Sequence, residues 1–433
     1  MTINGKDLVA KLKPLSSVES IKDIPQLTQA MFPGTHCPLM GAAMAVGGIK
    51  GALLVVVGTD ECTYYTKSMT LHSERFGGPG GRCVSVVLDG HDVTFGSTPK
   101  MHKAFKEIVA EYKPECVFLV TTCVVEVIGD DYDAIAAELS DAYGIPVMAV
   151  HTEHFKCEDH LPGLERTITA CFDMMEKVPQ NDTANVLGQR MGEFKTTELY
   201  KMLVKAGVKI GMQLPAGTTV DEIKNAAAAR VNIVVNDIAL PLAKKMKARF
   251  GIPYVYFNKF VYPDKIYASY KELFEYLGVP LPEEIAAYYN EAKEAVTAAG
   301  KALGGVSYIY GNTPYYCFEM NAFLASLGMV PQVIQTNRFS EENDYYVQEI
   351  LKHTDPLVCK AANIAPMQYV YDELHPWLYM GHEFGARLRK KGIAIVHSDA
   401  AGSMLGFEVT NYLLKQITVA AEEAKIYRKE AGL

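Results

Sequence analysis

The chain has 433 residues, too many for a single hydrophobic core, so two or three domains are expected. Its formal net charge of −8 argues against a nucleic-acid partner, which needs a basic face. The sequence has nine cysteines, an odd number, and shows no apolar N-terminal leader, so we expect a cytoplasmic protein. No apolar run approaches the ~18 residues of a membrane helix, so no membrane partner is expected.

The predicted elements alternate between strands and helices along the chain. The first ~30 residues, which contain Pro14 and Pro25, are expected to form an arm over the surface. Beyond them, apolar β-branched runs predict buried strands, and stretches rich in Ala, Lys and Glu predict the helices between them. The predicted strands are 52–57, 116–121, 147–150, 208–214, 231–235, 254–257, 306–310, 330–335 and 393–396.

Three of these strands follow a Gly-Ile-Pro or Gly-Ile-Ala sequence, at Gly144, Gly251 and Gly392. Each sequence predicts a helix that ends at a glycine, followed by a buried strand. The alternation of strands and helices predicts an α/β protein whose parallel sheets are flanked by helices on both faces. The polar stretch 178–183 is predicted to be a linker. We therefore predict domains at residues 1–180 (with the N-terminal arm), 181–300 and 301–433 (with a C-terminal helix).

Three cysteines lie at the ends of strand-like runs or beside a glycine, where a short loop can direct a thiolate into a crevice. They are Cys37 before Pro38, Cys62 at the end of the stretch 58–62, and Cys123 after two threonines. Their separations, 62 − 37 = 25 and 123 − 62 = 61 residues, are too long for a zinc-finger knuckle. Soft sulfur ligands from three separate loops suit an iron–sulfur cluster, so the three cysteines are predicted as its ligands.

Three ligands leave one iron of a four-iron cluster without a protein ligand. Asp60, a partner chain or another cysteine could supply the fourth. The alternative for any single cysteine is a small buried hydrophobic residue. That alternative is assigned to the other six: Cys83, Cys116, Cys157, Cys171, Cys317 and Cys359.

A second group of possible metal ligands follows the strand that ends at residue 150. Its members are spaced three residues apart: His151, His154, Cys157 and His160. The spacing is compatible with a zinc site. The interpretation that we favour is a polar loop whose histidines form local hydrogen bonds. Because the loop follows a strand of an α/β sheet, one or two of these side chains are expected to face a substrate or a partner. His151, His154 and Asp60 are the candidate proton donors.

Two nucleotide-binding motifs are absent from the sequence. No G-x-x-x-x-G-K-[ST] phosphate loop is present, which argues against ATP hydrolysis by that route. The glycine-rich run 77–81 lacks the G-x-G-x-x-G spacing and follows no predicted strand, so no NAD site is expected. If the protein handles electrons, we therefore expect another protein to deliver them.

Residues 37–42, 58–62 and 121–131 resemble the cysteine segments of the nitrogenase component 1 family, and residues 251–253 with 257–258 resemble its middle domain. That family includes the molybdenum–iron protein subunits, their cofactor-assembly paralogues and tetrapyrrole reductases. The resemblance implies three Rossmann-like domains and an iron–sulfur cluster, 4Fe-4S or larger, shared with a second component 1-type subunit (the same or a sister chain). It also implies an ATP-dependent iron protein as electron donor.

The resemblance leaves several functions open. In the nitrogenase α subunit, a cysteine binds the active-site cofactor. The corresponding position in this chain falls near Val235 or Asn236, where there is no cysteine. The leading hypothesis is a subunit of a nitrogenase-like two-component reductase that passes electrons to a tetrapyrrole, a nitrogen compound or a sulfur compound. One alternative is a scaffold on which a nitrogenase-type metal cofactor is assembled. The other is a non-catalytic α/β ligand-binding protein.

Overall fold

The computed structural model describes residues 4–28, 36–72, 82–157, 159–190, 192–257, 261–311, 317–360 and 364–433. The glycine-rich run 77–81 and Asn258, both used above, lie outside these ranges. The chain divides into two compact units. One unit comprises residues 36–258 and 272–280, and the other comprises residues 1–35, 259–271 and 281–433.

Strands and helices alternate through both units. The strands of the described residues are β1 Lys13–Pro14, β2 Ile49–Lys50, β3 Ala52–Gly58, β4 Cys83–Val87, β5 Cys116–Thr121, β6 Val147–Val150, β7 Thr183–Gln189, β8 Lys209–Pro215, β9 Thr218–Thr219, β10 Val231–Val234, β11 Tyr254–Tyr256, β12 Ser307–Tyr310, β13 Val330–Gln335, β14 Leu357–Cys359, β15 Leu378–Met380 and β16 Ala394–Val396. The α-helices are α1 Gly5–Val9, α2 Pro38–Gly47, α3 Asp60–His72, α4 Gly90–Phe95, α5 Thr98–Tyr112, α6 Cys123–Ile128, α7 Tyr132–Tyr143, α8 Leu161–Ala170, α9 Glu198–Lys205, α10 Val220–Lys224, α11 Leu240–Phe250, α12 Pro263–Leu277, α13 Glu284–Leu303, α14 Cys317–Ser326, α15 Asp344–Leu351, α16 Ile364–Leu374, α17 Gly385–Arg389 and α18 Phe407–Ala431.

The first unit contains a four-stranded parallel sheet with the order β4-β3-β5-β6. Its two central strands, β3 and β5, are buried at every position. Continuous burial of this kind is typical of a parallel strand whose sheet is covered on both faces. β3 and β5 are paired as far as Val57 and Thr121, so their carboxyl ends lie side by side.

The same unit contains a second parallel sheet with the order β11-β10-β7-β8, and β2 pairs with β9 separately. The interior of the second sheet includes two asparagines on neighbouring strands. The Asn185 side-chain amide donates to the Asn232 side-chain oxygen (3.0 Å) and to the Ala226 carbonyl (2.9 Å). These hydrogen bonds compensate for burying polar side chains within a strand.

The second unit is built on a six-stranded sheet with the order β1-β14-β13-β12-β15-β16. All neighbouring strands are parallel except β1, which pairs antiparallel with β14. The long helix α18 packs against α13 and β16. The N-terminal residues predicted as an arm contribute the edge strand β1, and Leu8, Leu12 and Leu15 are buried.

The α/β class with parallel sheets flanked by helices is confirmed. Gly144 and Gly251 end α7 and α11 with φ values of 65° and 74°, as the Gly-Ile-Pro sequences predict. The domain boundaries at residues 180 and 300 stay a prediction. None of the helices within the described ranges is long and apolar enough to cross a membrane.

Candidate functional site

Each of the three predicted cysteine ligands lies at the beginning of a helix. Cys37 is the N-cap residue of α2, Cys62 lies in the first turn of α3, and Cys123 is the first residue of α6. Pro38 occupies the first helical position after Cys37, where its missing N–H costs no hydrogen bond. The unpaired N–H groups of a helix start favour a negative charge, which is the form in which a thiol binds metal.

The strands β3 and β5 bring the Cys62 and Cys123 loops together. The Thr122 N–H donates to the Val57 carbonyl (3.1 Å) where the two strands end. Gly58 permits this approach, because its φ is +151° and a Cβ there would lie 1.9 Å from the Thr122 side-chain oxygen. A glycine at this position therefore fixes the loop before Cys62 against the loop before Cys123.

The helix that follows Cys37 packs backbone to backbone on α8. A Cβ on Gly41 would lie 1.9 Å from the His160 carbonyl oxygen, and a Cβ on Gly163 would lie 1.8 Å from the Pro38 carbonyl oxygen. Neither helix can carry a larger residue at these contacts without moving. The start of α2, and with it Cys37, is thus held in place by α8.

The Cys123 thiol interacts electrostatically with Cys62 and with Cys37. Burial raises the pKa of the Cys123 thiol, and negative charge on Cys62 and on Cys37 raises it further. The backbone N–H groups of Val124 and Cys123 act in the opposite direction. Coulomb energy falls with distance, so the influence of both partners on Cys123 indicates that the fold brings the three loops together. All three cysteines are free and are neither buried nor fully exposed.

The three cysteines provide the soft sulfur donors of a metal–sulfur site. Within the described ranges, no three His, Cys, Asp or Glu side chains are close enough together to hold one ion. In an iron–sulfur cluster the cysteine sulfurs bind different irons, so they stand further apart than the ligands of one ion. Three thiols at helix starts match the donor type that holds such a cluster.

The histidines after β6 do not converge on one point. His151 Nε2 lies 3.1 Å from Asp133 Oδ2, whereas His160 Nε2 lies 3.2 Å from an Arg190 guanidinium nitrogen. His154 is exposed in a short 3₁₀ turn. Asp133 and Arg190 lie 18 and 30 residues from these histidines in sequence, so the hydrogen bonds are not the local ones that we expected. The choice between a polar loop and a zinc site stays a prediction. The roles of His151, His154 and the exposed Asp60 as proton donors stay predictions.

An open cavity of about 320 Å³ lies beside α6, and His151 is the one lining residue that the sequence analysis named as a candidate site residue. Its lining residues are Glu126, Val127, Gly129, Asp130, His151, Glu153, Phe155 and Lys156. Val127 and Phe155, with 73% and 77% of their surfaces exposed, are large apolar residues that face solvent. Exposed apolar residues clustered around a cavity are typical of a surface that another molecule covers. The sequence signal for this surface was an apolar residue in the polar stretch 151–160.

Comparison with known proteins identifies the class to which this fold and site belong. The profile for nitrogenase component 1 type oxidoreductases matches residues 37–422, so the chain belongs to that family. The nitrogenase iron-molybdenum cofactor biosynthesis protein NifE of Clostridium pasteurianum is 33% identical over 232 residues, which are 51% of this chain and 49% of that protein. The chain thus spans about half the length of this relative.

Two further similarities extend over more of the chain. The nitrogenase molybdenum-iron protein alpha chain of Clostridium pasteurianum is 25% identical over 377 residues, 81% of this chain and 68% of that protein. The solved structure "Nitrogenase Cp1 at pH 6.5" superimposes with a TM-score of 0.79 at 17% identity, covering 93% of this chain and 95% of that one. At this identity the structural match supports the fold alone, and it confirms the predicted fold class.

Proposed function

We propose that the chain is a subunit of a nitrogenase-like two-component reductase and holds an iron–sulfur cluster, 4Fe-4S or larger, through Cys37, Cys62 and Cys123. The observation that carries the proposal is the placement of these three interacting thiols at three helix starts. Membership of the component 1 family supports the reaction class. When bound, such a cluster supplies one-electron transfer at low potential.

The charges of the cysteine sulfurs favour the binding of cations at this site. Negative charge on Cys62 and Cys37 raises the pKa of Cys123, so positive charge bound between the three sulfurs would relieve this repulsion. The N–H groups of Cys123 and Val124 stabilise negative charge on the Cys123 sulfur. Partial burial of the site limits solvent access, which is one of the determinants of a cluster's reduction potential.

The surface around the cysteines has the exposed apolar and aromatic side chains of an interface with a partner chain. Tyr64 and Tyr65 on α3 have 68% and 67% of their surfaces exposed, and Val127 on α6 is similarly exposed. Aromatic and apolar side chains beside a ligand site that one chain fills only in part are typical of an interface. We assign this face to a second component 1-type subunit, identical or a sister chain. The loops around Cys62 and Cys123 also form part of the docking face for an ATP-dependent iron protein.

A second candidate function is a scaffold for assembly of a metal cofactor. The similarity to NifE, named as a cofactor biosynthesis protein, favours it, as does a NifE of Rippkaea orientalis that is 24% identical over 349 residues. In this candidate the same cysteines hold the cluster, but the product is a cofactor that is transferred to another protein. The two candidates therefore differ in whether electrons reach a bound substrate.

Anaerobic turnover distinguishes the two candidates. The purified complex is mixed with its iron protein, ATP and one substrate from each of three classes: a tetrapyrrole, a small nitrogen compound and an organic sulfur compound. The reductase predicts ATP-dependent substrate reduction that is lost in Cys62→Ser while the circular dichroism spectrum is unchanged. Transfer of metal to an acceptor protein without substrate reduction would support the scaffold. Full turnover with a ferredoxin or flavodoxin and no ATP would contradict the proposed electron donor.

A further inference from the structure

We propose that Glu126 and Arg166 are positioning residues that couple the Cys123 helix to the Cys37 helix through residues 151–157. We call the four residues Glu126, Thr152, Glu153 and Arg166 the clamp. The inference rests on the proposed role of the cysteines as ligands. It concerns the separation of Cys37 and Cys123, which must be fixed if both sulfurs are to bind one rigid group.

Glu126 ties α6 to the segment that follows β6. Its Oε1 atom accepts hydrogen bonds from the Thr121 hydroxyl (2.7 Å), the Thr152 hydroxyl (3.1 Å) and the Glu153 N–H (2.8 Å). Thr121 and Thr152 are each only 1% exposed. Hydrogen bonds to a carboxylate are stronger than neutral ones, and buried donors that lose their acceptor are costly. The helix that begins at Cys123 is thus attached to residues 152 and 153.

Arg166 holds the same segment from the opposite side. One guanidinium nitrogen donates to the Thr152 carbonyl (2.6 Å) and the His151 carbonyl (3.3 Å), and lies 3.7 Å from Cys157 Sγ. The other donates to Glu153 Oε2 (2.5 Å). Only arginine offers this planar set of donors. Because Arg166 belongs to α8, the segment is attached to that helix as well.

The two attachments meet at a residue with an uncommon backbone conformation. Glu153 has φ 44° and ψ 45°, in the left-handed region that a non-glycine residue rarely adopts. Its N–H is held by Glu126 and its carboxylate by Arg166 and Lys156. Such a conformation persists only where the surrounding contacts enforce it.

The last link runs from α8 to α2. The backbone contacts at Gly41 and Gly163 leave no space for a side chain, so α8 packs directly against the start of α2. The path from Cys123 to Cys37 is therefore α6, Glu126, residues 152 and 153, Arg166, α8 and α2. Within the described residues, the hydrogen bonds of the clamp do not reach α3, which begins with Asp60.

Site-resolved alkylation of the metal-free full-length protein tests the clamp. Each cysteine's rate of reaction with N-ethylmaleimide is measured anaerobically by peptide mass spectrometry. In Glu126→Ala and in Arg166→Ala, we expect Cys123 to react about tenfold faster, because its helix start opens more often. The buried Cys83 and Cys116 should change by less than about twofold.

Further variants separate positioning from a general loss of stability. Glu126→Gln keeps an oxygen acceptor and should restore the Cys123 rate to within about threefold of the wild type, whereas Arg166→Lys cannot make the planar contacts and should not restore it. The double variant should be no faster than either single variant, because both act through the same segment. Glu138→Ala, which removes an exposed partner of His102, is the matched control and should have no effect.

Three results would overturn the clamp. The first is an unchanged alkylation rate of Cys123 in Glu126→Ala. The second is an acceleration at Cys83 and Cys116 equal to that at Cys123. The third is a double variant in which the accelerations of the two single variants combine. If Glu126→Ala does not fold, Thr152→Val removes a single donor and should still accelerate Cys123 selectively; no acceleration there refutes the clamp. Because the measurement needs no cluster, failure of the cysteines to bind iron would refute the proposed function without changing the alkylation result.

Discussion

Replacing Gly163 by alanine tests how closely α8 approaches the start of α2. Alanine in place of glycine within a helix ordinarily stabilises a protein by roughly 0.5–1 kcal/mol. Here the new Cβ would lie 1.8 Å from the Pro38 carbonyl oxygen, whereas ordinary contact begins at 3.4 Å, so the two backbones would have to separate by about 1.6 Å. No side-chain rotation can relieve a clash with backbone. We therefore expect a net destabilisation of about 1–3 kcal/mol, accompanied by displacement of Cys37.

The assay is urea-induced unfolding followed by circular dichroism. Gly300→Ala is the matched control, because Gly300 also lies in a helix and its nearest neighbour would be 3.9 Å from the added Cβ. This control should be neutral or more stable than the wild type by up to about 1 kcal/mol. A Gly163→Ala variant as stable as the wild type, or more stable, would refute the backbone contact between the two helices.

Two predictions concern the ionisation of Cys123. In the metal-free protein its alkylation rate should rise with pH through a midpoint above that of a free cysteine, because burial and the neighbouring thiolates raise its pKa. Cys62→Ser removes one of those negative charges, so it should lower the midpoint. The pH dependence of site-resolved alkylation measures both, and a midpoint in Cys62→Ser that is equal to or above the wild-type value would contradict the proximity of the two sulfurs.

The sequence predicted some strands and missed others. β5, β6 and β13 have the predicted bounds, whereas β4, β14 and β15 were not predicted. β7 was not predicted, and it begins at Thr183, the last residue of the stretch interpreted as a linker. Its buried Asn185 interrupts the apolar pattern and is tolerated because a residue of another strand supplies its hydrogen-bond partner. No local pattern contains that information.

The same limit applies to the functional site. Glycine, proline and threonine neighbours pointed to Cys37, Cys62 and Cys123, because helix starts and tight turns have local signatures. The role of Glu126 was not predicted, since the Glu153 N–H that it binds is 27 residues away. The contact between Gly163 and Pro38 likewise depends on the packing of two helices that are distant in sequence. The N-terminal arm was predicted as a segment, but its pairing with β14 was not.

Iron and acid-labile sulfide analysis after anaerobic reconstitution tests the central claim most directly. The samples are the wild type, the three variants Cys37→Ser, Cys62→Ser and Cys123→Ser, and Cys171→Ala as a control at a buried cysteine outside the site. We predict that the wild type and the control bind iron and sulfide in similar amounts, and that each serine variant binds less of both. A wild type without iron, or three serine variants with the wild-type iron content, would contradict the assignment of these cysteines as cluster ligands.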